Sequence, residues 1–271
     1  MSTTTAATHA TGGAPVTQFR VIRSEWIKLW SLRSTTVTLG VAVALLIGVG
    51  LIASSVIGNG DGRGPGGDDG PQNPVDISLA GLNLAQLALA TLGVLFMASE
   101  YSTGMIRSSL AAVPKRLPVL WAKAAVFAAV AFAVGLVASA IAFTGGQAIL
   151  GDAGASWSDP GVARAVVVTA VVLAGFGVLG IALGALLRST PAAISTIVGA
   201  MFLLPGIAGL VLPDSWGDNV TRVLPPNAAE AFTDVTRNDG TLSPWAGLAV
   251  FTAYIAATTI AAAWRLKRTD A

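Results

Sequence analysis

The sequence predicts an all-α integral membrane protein with six transmembrane helices. Three observations predict it. The 271 residues are 54% hydrophobic and only 11% charged, whereas a soluble domain carries about 25% charged residues. The chain holds at least six long apolar runs, and about 20 residues suffice to cross a hydrocarbon core. Its charges are sorted by sign between the segments that join those runs. The spans consume most of the length, so no segment outside them is long enough to bury a core of its own. There is no cysteine, which excludes a disulfide framework, a thiolate metal site and a cysteine nucleophile.

Residues 1–15 are small and polar, hold the single His9, and are expected to be a disordered leader. Residues 16–271 then form one membrane domain. Basic residues and an apolar run follow the leader, but the run at 36–57 is too long for a signal-peptide core. In residues 16–33, Phe19, Ile22, Trp26, Leu29 and Trp30 recur at helical spacing. Arg20, Arg23 and Lys28 lie mostly off that face, with Glu25 between them. Trp26 and Trp30 beside Arg23 and Lys28 suit the headgroup boundary. The stretch reads either as an interfacial helix or as a plain anchor for the first span.

Span 1 is expected at about 36–57. Its Gly40, Ala44 and Gly48 repeat every four residues, a small-residue stripe for close helix approach within one subunit or between two. A glycine-rich acidic loop follows at 58–74. Span 2, about 77–98, contains Asn83 and Gln86 on one face. Such amides either bond to neighbouring helices or line a solute path. Residues 100–123 are amphipathic and basic, with Arg107, Lys115, Arg116 and Lys123 against Glu100. Span 3 runs over about 125–149. Span 4, about 165–187, carries the GxxxG pair Gly180 and Gly184. Pro191 suits the first turn of span 5, about 191–212, and Pro205 with Gly206 predicts a kink near its far end. Residues 213–245 mix Trp216, Val223, Leu224 and Phe232 with acids, which predicts short helices lying on or dipping into the membrane. Span 6, about 246–264, leads to a basic tail.

Charge sets the orientation. With the N-terminus inside, 12 of the 16 Lys and Arg residues fall in cytoplasmic segments, and 11 of the 14 Asp and Glu residues fall outside. The positive-inside rule then places both termini, and residues 100–123, in the cytoplasm of a multi-pass protein of the cell membrane. The expected spans contain no ionisable side chain in their interiors, which argues against an ion-coupled carrier. No GxxxxGK[ST] stretch is present to cradle ATP phosphates. An intramembrane hydrolase would lack its histidine, carboxylates or metal ligands at depth.

A polar segment such as 100–123 serves as a bare connector, a headgroup-binding ribbon or a docking element for a soluble partner. The charges alone are those of a solvated inner loop, and it is a family resemblance that favours the third. Glu100, Gly104, Met105, Ile106, Leu110, Pro114, Arg116 and Lys123 resemble the pattern that follows the second span of ABC-2 type permeases. SEWIKLWSLRST at 24–35, LPPNAAEAF at 224–232 and SPWAGLAV at 243–250 are also similar to that family. Met105 departs from the threonine common there. The resemblance covers essentially the whole chain.

The resemblance implies the permease half of an ATP-driven exporter, not an enzyme, that pairs with a second permease half and with separate ABC-type ATP-binding subunits. ATP and Mg would be bound by those subunits, with no cofactor or metal on this chain. Glu100, Gly104, Met105, Ile106, Arg107, Leu110, Pro114 and Arg116 would form the cytoplasmic coupling helix that docks the ATPase. Arg23, Glu25, Trp26, Lys28 and Trp30 would mark the interfacial helix. Residues 213–245 would hold a re-entrant segment. Asn83, Gln86, Met201 and Phe202 would line the solute path. The alternative is a sensory or regulatory membrane protein that holds a cytosolic partner and transports nothing.

Overall fold

The computed structural model describes residues 17–59, 73–106, 108, 117–235 and 241–268. It is all-helical, with no strand among the described residues. Among them, six helices are long and apolar enough to cross a membrane.

The first helix, α1, spans Gln18–Ser31. Leu32 breaks it with extended backbone, and α2 follows at once over Arg33–Gly58. Span 2 begins later than expected because a separate short helix precedes it. This helix, α3 (Pro74–Ser78), starts where Asn73 Oδ1 accepts the Val75 N–H at 2.8 Å and Pro74 fills the first turn. Next come α4 (Leu82–Ser102) and α5 (Leu117–Leu150). Helix α5 is already formed at Leu117, the first residue described after 108, so Lys123 lies inside a continuous helix rather than in the connection before span 3. Two carboxylates hold that lysine, so the helix need not end before it.

A 3₁₀ turn at Gly151–Ala153 leads from α5 towards α6 (Val162–Leu187). Span 5 is composite. It consists of α7 (Thr190–Val198), a π-helical turn at Gly199–Leu203 and α8 (Leu204–Val211). Pro191 sits in the first turn of α7, as its missing N–H requires. The irregularity expected at Pro205 appears just before it, in the turn that a proline deprives of a donor and crowds with its ring. Two short helices, α9 (Asp214–Val223) and α10 (Pro225–Thr233), fill the next connection. The last span is α11 (Pro244–Arg268).

The bundle is built around α6, which packs most extensively on α4 and then on α5. In its most apolar stretch α6 is 67% buried, against 28% for α2 and 22% for both the span-5 helix and α11. Thus α4, α5 and α6 form the centre, while the other spans keep apolar faces turned outward. The close α4–α6 contact depends on glycine. A Cβ at Gly180 would overlap the Ala90 carbonyl, and one at Gly93 would overlap the Gly177 carbonyl. Gly184 completes the expected GxxxG pair beside Val94. The stripe on α2 does not pack inside the subunit, since a Cβ on Gly40 or Gly48 would meet nothing.

Candidate functional site

Four charged side chains meet where α1, the end of α4 and the start of α5 converge. Lys123 of α5 is 0% exposed, Glu25 of α1 is 1% and Glu100 of α4 is 5%. Lys123 Nζ donates to Glu100 Oε1 at 2.9 Å and to the Phe96 carbonyl at 3.3 Å. It also makes an ion contact with Glu25 Oε2 at 2.7 Å and lies 3.8 Å from the Phe96 ring centroid. Lys28 bridges the same two acids, at 2.8 Å from Glu25 Oε1 and 3.1 Å from Glu100 Oε1. Two cations and two anions therefore balance in one desolvated site. Burial works against the charge on Lys28, but the Glu25 and Glu100 carboxylates outweigh it and hold the ammonium above the ordinary lysine range.

The cluster explains how α1 turns. The apolar repeat groups Phe19, Ile22, Trp26, Leu29 and Trp30 on one face. In the structure, α1 buries Val21, Glu25 and Leu29 instead. Phe19, Trp26, Ile27 and Trp30 point outward, with the Trp26 and Trp30 rings 5.9 Å apart between centroids and tilted at 60°. Arg23 is exposed as well. Glu25 must face α5 to meet Lys123, and that requirement rotates the helix away from its most apolar face.

The resemblance places Glu100 in the element that docks a partner; in the structure its carboxylate pairs with Lys28 and Lys123 of the same chain. Gly104 follows α4 with φ 73°, a left-handed conformation that turns the chain sharply out of span 2. Met105 beyond it is exposed, whereas Ile106 folds back into the core. Arg107, Leu110, Pro114 and Arg116 lie outside the described residues.

At the opposite end of the bundle, Gln86 Nε2 donates to Asn83 Oδ1 at 2.8 Å. Both amides line a polar cavity of about 80 Å³, together with Asp76, Glu230, Thr233 and Asp234. Met201 and Phe202 do not join them. Met201 is buried in a second apolar cluster that includes residues of α4, α6, α7 and α10, and Phe202 is exposed on span 5. Sequence reasoning missed the carboxylates of this cavity, since Asp76 is about 150 residues along the chain from Glu230 and Asp234 and no local pattern links them. It also missed Gln147, although a lone amide in an apolar run is a signal of an interhelical bond.

A scan against protein-family models and a search of curated proteins both find no match.

Proposed function

We propose that this chain is the membrane-spanning half of an ABC-2 type exporter, driven by ATP-binding subunits that are separate chains. Two such halves would enclose the solute path, in the cell membrane with both termini cytoplasmic. ATP and Mg would sit on the motor subunits. Residues 104–116 form the docking element in this reading, α1 lies along the membrane surface, and α9 and α10 supply the re-entrant segment.

The observation that carries the reading is the Glu25–Lys28–Glu100–Lys123 cluster. A motor that pushes on the segment between spans 2 and 3 needs a stiff connection to the bundle, or the push dissipates in side-chain rearrangement. The cluster ties both ends of that segment, the close of α4 and the opening of α5, to α1. Glu100 and Lys123 then act as positioning residues within the chain, and contact with the motor falls to exposed groups such as Met105.

The test is purification from the native membrane in mild detergent, with identification of what accompanies the chain. An ATP-binding subunit should be recovered. Met105→Glu should reduce that recovery by about tenfold or more, as loss of a buried apolar anchor does at interfaces, while leaving helical content intact. Recovery of a kinase or regulator in place of an ATPase would sink the transporter reading in favour of a sensory one.

A further inference from the structure

The cavity at the end opposite α1 is covered by a strap that is tied on both sides. On one side, α3 is fixed to α5. Gln147 Nε2 donates to the Pro74 carbonyl at 2.9 Å and to Ser78 Oγ at 2.7 Å, and Gln147 Oε1 accepts the Ala155 N–H at 2.6 Å. On the other side, residues 225–235 run across the cavity. Arg164 of α6 donates to the Asp234 carbonyl at 2.9 Å and to the Phe232 carbonyl at 3.4 Å. The strap reaches α3 where the Val235 N–H donates to the Asp76 carboxylate.

The charges facing this cavity are unbalanced. Asp76 comes from α3, Glu230 from α10 and Asp234 from the end of the strap. Span α4 offers only the amides Asn83 and Gln86, and α6 offers the Thr169 hydroxyl. Among the described residues the one cation acting on the group is Arg164, which donates to main-chain carbonyls. Like charges in so small a space resist joint ionisation.

We propose that the strap is a proton-controlled closure, held shut while Asp76 and Asp234 are protonated and loosened when both ionise. Burial, followed by the nearby Asp76 and Glu230, pushes Asp234 up from 3.8 to about 7 against the opposing Arg164. Burial and Glu230 push Asp76 from 3.8 to about 6, against the Val235 N–H. Burial raises Glu230 too. Opening to solvent returns both aspartates towards 3.8, so the closed state binds more protons than the open one. The closed state is therefore fully favoured below 3.8, and its advantage is lost as the pH rises through about 6 to about 7.

Because the chain has no cysteine, single thiols report on the closure cleanly. Thr169 lines the cavity, is 0% exposed, and uses its hydroxyl only on the Ala165 carbonyl of its own helix. The full chain in membranes is labelled at Thr169→Cys with a membrane-impermeant maleimide. The rate is divided by that of Ser158→Cys, an exposed position at the same end, which removes the titration of a free thiol. The ratio should rise at least about tenfold between about pH 5 and about pH 8. With Asp76→Asn and Asp234→Asn added, the ratio at the higher pH should stay at its acid value. If that double variant fails to assemble, Asp234→Asn alone should at least halve the rise. A ratio that ignores pH, or the same rise in the asparagine background, overturns the proposal. The readout needs neither an ATPase nor a cargo, so its failure and the failure of the exporter reading are separate results.

Discussion

Lys123→Met should destabilise the bundle by about 3–5 kcal/mol, the range for removing one partner of a buried ion pair. Lys123 is the only wholly buried member of the cluster that touches both acids. Without it, Glu25 and Glu100 share Lys28 alone, which leaves one uncompensated negative charge in a dry site. Methionine keeps most of the volume, so packing loss contributes little. Thermal unfolding of the purified chain in detergent, followed by circular dichroism, measures the effect. The double change Lys123→Met with Glu100→Gln should recover about half of the loss or more, since it restores charge balance with Glu25 and Lys28. A single variant that melts at the wild-type temperature would mean that water reaches the acids and that α1 is not held by charge.

Gly180→Leu should cost about 3 kcal/mol or more, at or beyond the upper end of ordinary overpacking. The obstacle is the Ala90 carbonyl of α4, and a backbone group cannot rotate aside as a side chain can. The two central helices must move apart, which opens the contact that α6 shares with α4 along its length. Gly40→Leu on α2 is the matching control, because a Cβ there meets nothing. It should shift stability by no more than about 0.5 kcal/mol in the isolated chain. Equal melting temperatures for the two variants would remove glycine-mediated contact as the basis of the core.

The spans were legible because hydrocarbon imposes length and composition on any helix that crosses it. Runs of twenty apolar residues stand out whatever they pack against, and Gly180 with Gly184 could be read as a contact face from spacing alone. What did not show was pairing between segments distant in the chain. Glu25 and Lys28 look like ordinary surface residues of an amphipathic helix, and Lys123 looks like one more cytoplasmic cation. Only the fold brings them to Glu100, 72 residues along the chain from Lys28. The same holds for Asp76 and Asp234, which lie in separate segments with weak periodicity. The rotation of α1 about its own axis is not legible in the sequence for a related reason. A hydrophobic repeat reports which face avoids water, and in a membrane that face can turn towards lipid as readily as towards the core.

The link between α6 and α7 is two residues, Arg188 and Ser189. Arg188 closes α6 in a left-handed conformation with φ 56°, and its N–H donates to the Gly184 carbonyl at 3.0 Å. Its guanidinium lies 5.2 Å from the Tyr101 ring centroid at the end of α4. This geometry bears on how the chain is made. So short a tether leaves no slack for the two helices to be threaded into the bilayer independently. The span-5 segment, broken by its π turn and with a mean hydropathy of 1.8 against 2.6 for α6, is the weaker candidate for solitary partitioning. The expected outcome during synthesis is entry of the pair as a single hairpin, with the more apolar arm carrying its irregular neighbour across.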